Sequence, residues 1–209
     1  MLITSSSGVW LQTADGRQIL DAGGGAIVTN IGHGRPEIAQ VASHALERLD
    51  YVVPVFATEA RVALAEEVSD NWLPDPSWRS VFVSGGSESV DAAIRVAQLH
   101  HVACGRSERH KVIGRDVSYH GATLGALSAG LHDRRRKGLE QALLSMPKTS
   151  HYDAEELEKV IELEGPDTIS AFIGEPVIGA AAGAYVPPDD YWPRISEICA
   201  RHDILVIAD

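Results

Sequence analysis

The sequence predicts an α/β protein with a mainly parallel sheet and helices on both faces. Three observations carry that prediction. From about Thr58 onward, short apolar runs alternate with stretches of helical periodicity. The run Ile204–Ala208 is continuously apolar, as expected of a strand buried on both faces of a parallel sheet. Three such runs also lead into residues with chemistry, at Ser84, Glu175 and Asp209, and open α/β sheets place their ligands at strand carboxyl ends.

Up to about Ala57 the β signals are short and broken by turns. Val9–Gln12 and Gln18–Asp21 flank Ala14-Asp15-Gly16-Arg17, which reads as a hairpin around an Asp-Gly turn. Gly23-Gly24-Gly25 and Gly32-His33-Gly34 punctuate the next stretch. Pro36 opens a helix expected to run to about Leu49, with Ile38, Val41, Ala42 and Ala45 on one face. Ala60–Val68 reads as an amphipathic helix and Val81–Val83 as a short strand. Val90, Ala93, Ile94 and Ala97 then recur at helical spacing. Lys111–Ile113 begins another strand. Asp153 with Glu156 three residues on resembles a capping box, and it starts a helix through Leu163. Ile169–Ile173 is a strand, Tyr191–Arg201 a helix and Ile204–Ala208 a strand. Two segments result, 1–57 and 58–209.

With 209 residues and 44% hydrophobic content, the chain can bury a sizeable core. Its net charge of −11 argues against nucleic acid or an anionic membrane as the main partner, since both need a basic footprint. No apolar run approaches the roughly 18 residues of a membrane span, and the polar Thr4–Ser7 start does not read as a signal peptide. Cys104 and Cys199 are expected to be reduced thiols in a cytoplasmic protein. No zinc spacing is present, and His100-His101 with Cys104 reads as a helix end at the surface, so no metal site is expected. The run Arg134–Lys137 reads as a solvated loop or helix end.

The strand-end rule brings three groups toward one crevice. Ser84-Gly85-Gly86-Ser87-Glu88 joins a strand to a helix. Backbone N–H groups at a helix start, with glycine allowing close approach, suit a phosphate. A tight turn with Ser87 as helix N-cap is the competing reading. Neither the Walker A loop nor the GxGxxG fingerprint is present. Tyr119-His120-Gly121 offers a flat ring and a hydrogen-bonding group for an aromatic ligand, or equally a core tyrosine and a loop histidine. Glu175 is either a hydrogen-bond acceptor or a turn residue before Pro176, and Asp209 either a ligand group or a cap.

Taken in order, Ser84–Arg95, Tyr119–Thr123, Glu175–Gly179 and Leu205–Asp209 resemble the class III aminotransferases, pyridoxal-phosphate enzymes of fold type I. Asp15-Gly16, Ile19–Asp21, Asn30–His33 and Pro36-Glu37 resemble the opening of that family, so the likeness covers essentially the whole chain. The resemblance implies an incomplete large, cofactor-binding domain over 58–209, with 1–57 as an N-terminal segment of the small domain. It implies that Gly86 and Ser87 hold the cofactor phosphate, that Tyr119 stacks on the ring, and that His120 and Gly121 shape that wall. Asp209 would pair with the pyridinium nitrogen and keep the ring an electron sink. Glu175 would lie near the ring and Asp209, or near the substrate amine. Ser89 and Arg95 stand where Ala and Lys are common in the family, both mild changes.

The implied reaction moves an amino group from an amine or amino acid to a 2-oxo acid, in a homodimer. It needs a lysine that holds the cofactor as a Schiff base. The four lysines, Lys111, Lys137, Lys148 and Lys159, do not match the family position, which lies well after the aspartate. The chain is therefore expected to be an N-terminal portion, inactive by itself and exposing a sheet edge and apolar surface. Competing expectations are a non-catalytic chain that keeps the fold, an aminomutase or decarboxylase on the same scaffold, and a nucleotide-binding domain.

Overall fold

The computed structural model describes residues 1–75 and 77–209, and they form two compact units, Met1–Ser80 and Val81–Asp209. In the first unit, β1 (Ile3–Ser7), β2 (Trp10–Thr13) and β3 (Gln18–Leu20) make an antiparallel sheet in that order. The β2–β3 hairpin is the expected one: Trp10 pairs with Leu20 and Gln12 with Gln18, and Gly16 supplies a φ of 85° at the turn. The short α1 (Gly24–Ile27) is a left-handed turn, with φ of 55°, 61°, 59° and 71° along its four residues.

Next come α2 (Pro36–Arg48), with Pro36 at its start, and α3 (Glu59–Asn71), where the Thr58 side chain caps the Arg61 N–H. The two compact units divide at Ser80/Val81. Arg61 Nη1 donates to Phe56 O at 2.9 Å, and Arg48 pairs with Glu59 at 3.5 Å, tying α3 to the segment before it. The apolar face of α2 is open, with Ile38 and Val41 exposed.

The second unit runs α4 (Gly86–Ala103), β4 (Lys111–Arg115), α5 (Leu124–Ala129), α6 (Asp133–Arg136), β5 (Lys148–Thr149), α7 (Ala154–Glu164), β6 (Ile169–Gly174), α8 (Tyr191–Arg201) and β7 (Leu205–Ala208). Its sheet is parallel throughout, in the order β5-β4-β6-β7. Helices cover both faces, as the alternation predicts. Phe172 packs one way with Leu157, Ile161, Tyr191 and Ile195, while Ala171 and Ile173 pack the other way with Val90, Ile94 and Ala97. Asp153 caps α7 by accepting from the N–H groups of Glu155 and Glu156 at 3.0 and 3.1 Å.

Two expectations are corrected. Val81–Val83 is not a strand: the three residues have no ladder partner among the described residues, and Val81 is 77% exposed. The last strand is not buried on both faces either. Among the described residues β7 pairs with β6 alone, and along it half-buried Leu205 and Ile207 alternate with exposed Val206 and Ala208. A buried β6 between two neighbours and a half-open β7 at the edge result directly from that strand order.

Buried polar groups tie the far end of the sheet together. Arg109 Nη1 donates to the carbonyls of Ile169, His202 and Asp203 at 3.2, 2.9 and 3.1 Å. His101 Nε2 donates to Ser170 O at 3.0 Å, since a carbonyl only accepts, and burial pushes the ring's pKa down. Among the described residues no helix is long and apolar enough to cross a membrane.

Candidate active site

The carboxyl ends of β4, β6 and β7, together with the start of α4, carry every site residue expected from the sequence. The start of α4 is built on two glycines. Gly85 is the N-cap and Gly86 the first helical residue, so the alternative of Ser87 as N-cap is not realised. The first turn leaves the N–H groups of Gly86 and Ser87 without an intrahelical acceptor. A Cβ added at either glycine would meet nothing within 4 Å, so there is open space beside the helix start. Glu88 reaches back, its Oε2 accepting the Ser84 N–H at 2.7 Å, which fixes the entry into the helix.

Ser87 faces the loop after β4. Its Oγ accepts the Ala122 N–H at 2.9 Å. Gly121 packs directly against it: φ is 137°, and a Cβ there would lie 2.5 Å from Ser87 Oγ and 2.8 Å from Ser87 Cα. Only glycine meets both demands. Next to it, the buried His120 places Nδ1 2.7 Å from Asp209 Oδ2, while its Nε2 is buried with no partner among the described residues. Asp209 comes directly after β7, its side chain 31% exposed and its N–H donating to Gly174 O at 3.1 Å. With Oδ2 engaged by the imidazole, Oδ1 has no donor against it among the described residues.

Glu175, at the end of β6, is 7% exposed and spends both carboxylate oxygens on backbone. Oε2 accepts the Tyr119 N–H and Oε1 the Gly179 N–H, each at 3.1 Å. The Tyr119 ring is half-buried, edge-on to His132 at 6.3 Å, with the Arg135 guanidinium 4.4 Å from its centroid. Beside this loop lies a cleft of about 530 Å³ lined by Asp116, Leu131, His132, Asp133 and Ala180.

The donor set suits a phosphorylated aromatic cofactor with a basic ring nitrogen: free N–H groups with open space at a helix start, an aromatic side chain, and a carboxylate with one oxygen unengaged. Three of the four lysines are engaged elsewhere. Lys111 Nζ bonds Glu164, and Lys159 pairs with Glu156. Lys148 Nζ donates to the carbonyls of Ser128 and Met146 at 2.8 and 2.9 Å, and burial, with Arg136 close by, pushes its pKa down to about 7. Lys137 lies exposed after α6.

The sequence pattern did not single out Arg115, the last residue of β4, which is fully buried and donates to Glu175 O at 2.7 Å. The signal was a charge ending the run Val112-Ile113-Gly114.

Over all residues 1–209 the chain matches the family model "Aminotransferase class-III". The chain belongs to that family, and its sheet is that of a fold type I large domain. Relatives include a putrescine–pyruvate aminotransferase of Pseudomonas aeruginosa, 34% identical, with 100% of this chain aligned to 49% of the relative. A diaminobutyrate–2-oxoglutarate transaminase of Halomonas elongata is 32% identical, again with 100% of this chain on 49% of the relative. Among solved structures, a thermostable (S)-enantioselective ω-transaminase from Thermomicrobium roseum superposes with a TM-score of 0.94 at 35% identity, covering 100% of this chain and 50% of that one. The chain spans about half the length of the curated relatives it matches.

Proposed function

We propose that this chain carries the cofactor cradle of a pyridoxal-phosphate-dependent aminotransferase. One observation carries the reading: Asp209, held by His120, stands in one hydrogen-bonded unit with the glycine-opened start of α4. When bound, pyridoxal phosphate would supply an electron sink for chemistry at the carbon bearing the amine. Gly86 and Ser87 bind the phosphate through backbone N–H groups. Tyr119 provides the ring's stacking surface. The His120 Nδ1–H orients the Asp209 carboxylate, whose free Oδ1 holds a proton on the ring nitrogen. Glu175 fixes Tyr119 and the Gly179 turn and so sets the wall of the site.

None of the four lysines lies in this unit, so the lysine that would bind the cofactor covalently is not assigned to any of them. The relatives named for putrescine–pyruvate and diaminobutyrate–2-oxoglutarate transfer support a primary amine distant from any carboxylate as donor. They equally support a 2-oxo acid as acceptor. The same reading has the protein acting as a homodimer in the cytoplasm, with residues 58–209 in the large domain.

The test uses the polypeptide as its host makes it, its intact mass first determined. Pyridoxal phosphate binding is followed by absorbance, and transfer from putrescine to pyruvate by alanine formation. Asp209→Asn keeps the His120 contact but removes the charge. Transfer is expected to fall by about a hundredfold, as when one preorganised electrostatic group is lost from an active site. Wild-type protein that neither binds the cofactor nor transfers the amine would refute the proposal.

A further inference from the structure

Arg115 is a costly residue to keep where it is. It is 0% exposed, and its Nε and Nη1 are buried without a hydrogen-bond partner among the described residues. The guanidinium carbon lies 5.2 Å from the Tyr152 ring centroid and 5.9 Å from that of Trp192. An apolar side chain between those rings would avoid burying a charge with idle donors. Space has been cleared for it as well: a Cβ at Gly174 would lie 3.2 Å from Arg115 Cζ and Nε.

What the guanidinium does is grip one corner of the backbone. Nη2 donates to Glu175 O at 2.7 Å and lies 4.0 Å from Glu175 Oε2. Three contacts fan out from that corner. Gly174 O receives the Asp209 N–H, Glu175 Oε2 the Tyr119 N–H, and Glu175 Oε1 the Gly179 N–H, all at 3.1 Å. On its other side Arg115 O accepts from Ser118 Oγ at 2.8 Å, at the start of the Tyr119 loop. The acid and the aromatic platform thus hang from a single pinned corner, and among the described residues no hydrogen bond joins the guanidinium to a group assigned to the cofactor.

We infer that Arg115 is a positioning residue that sets Tyr119 through the Glu175 carboxylate and Asp209 through the Gly174 carbonyl, a role resting on the aminotransferase reading above. It acts by geometry, since a small tilt of the corner moves both groups relative to each other.

The experiment compares wild type, Arg115→Met, Arg115→Lys, Glu175→Gln and the Arg115→Met/Glu175→Gln double variant, each in the complete protein from the host. Two quantities are read: pyridoxal phosphate affinity by titration, and the visible circular dichroism of the bound cofactor, which reports ring orientation. Arg115→Met is expected to weaken binding about tenfold, the worth of one charge-assisted hydrogen bond, and to diminish the dichroic band. Arg115→Lys, which keeps a donor and the charge, restores part of both. Added to Glu175→Gln, Arg115→Met changes the dichroic band little more, because the two act in series on the Tyr119 ring.

Wild-type affinity and dichroism in Arg115→Met would overturn the inference, even with a lowered Tm, because the residue would then be structural only. Additive effects in the double variant would overturn it as well. If Arg115→Met does not fold, Arg115→Lys and Glu175→Gln decide: unchanged dichroism in both overturns the inference, and a shared loss supports it. A wild-type protein without cofactor affinity refutes the aminotransferase reading instead.

Discussion

Replacing Gly121 with alanine should damage the protein twice over, and the two parts can be separated. At φ 137° the backbone lies where residues with a Cβ rarely go; that strain costs about 1–3 kcal/mol. The added methyl would sit 2.5 Å from Ser87 Oγ and 2.8 Å from both Ser87 Cα and Cβ. Overpacking of that kind costs about 1–3 kcal/mol more. The sum, about 2–6 kcal/mol, is a large share of the ~5–15 kcal/mol that holds a folded protein together.

Urea unfolding of the host-made protein should therefore show a lower midpoint with an unchanged m-value. Ser87→Gly removes the Oγ and Cβ contacts and leaves only Cα in the way. In a double-mutant cycle it should recover about 1 kcal/mol of the loss. Gly86→Ala is the contrast, since its Cβ meets nothing within 4 Å. It should unfold within about 0.5 kcal/mol of wild type yet, on the proposed reading, bind pyridoxal phosphate more weakly, because the methyl takes up open space beside the helix start. If Gly121→Ala is as stable as wild type, or Ser87→Gly brings no relief, the close approach of loop and helix is not what demands glycine.

Other outcomes rest on charge, burial and capping. Lys148, with its folded pKa near 7 against 10.5, sheds a proton that the unfolded chain keeps. Stability should thus rise from pH 7 to about 8.5, by at most about 1.4 kcal/mol per pH unit, and Lys148→Met should abolish that rise in urea titrations. At higher pH the trend should flatten, because Cys199, pushed up to about 12 by burial, keeps a proton that the unfolded thiol loses. Exposed Cys104 should react with iodoacetamide in the native state and buried Cys199 only after unfolding, as peptide mass mapping would reveal. Arg109→Met should cost about 2–4 kcal/mol in urea unfolding by stranding three carbonyls, and Asp153→Ala about 1 kcal/mol through the lost cap. A neutral outcome for either would mean that those contacts are replaced by water.

What could be read from the sequence was whatever local chemistry decides. Tyr191–Arg201 is the helix expected, the hairpin turns at Asp15-Gly16, and Asp153 caps its helix. Burial depends instead on neighbours. Val81–Val83 and Ile204–Ala208 are similarly apolar in composition, yet the first has no ladder partner among the described residues and the second has one only on one side. The polar run Ile3–Ser7 offered no apolar alternation and became β1 by pairing with β2.

Within the site the candidate residues were nameable because each comes after a strand or opens a helix. Their bonds were not, since His120 and Asp209 lie 89 positions apart and Arg115 and Glu175 60. Topology makes those pairs, and only the finished sheet reveals Arg115.

The position of β7 at the sheet edge also has a meaning in time. A ribosome releases the glycine-opened start of α4 long before Asp209, the partner of His120. At ~5–20 residues per second, Asp209 emerges after Gly86 by roughly 6–25 seconds. Until it docks against β6, His120 has no carboxylate to orient and the Gly174 carbonyl has lost its donor. On the proposed reading, the helix start alone would gather a phosphate but could not yet hold the ring nitrogen's proton. On the proposed reading, docking of the edge strand would add cofactor selectivity to an anion site, and cofactor capture during synthesis would mark its arrival.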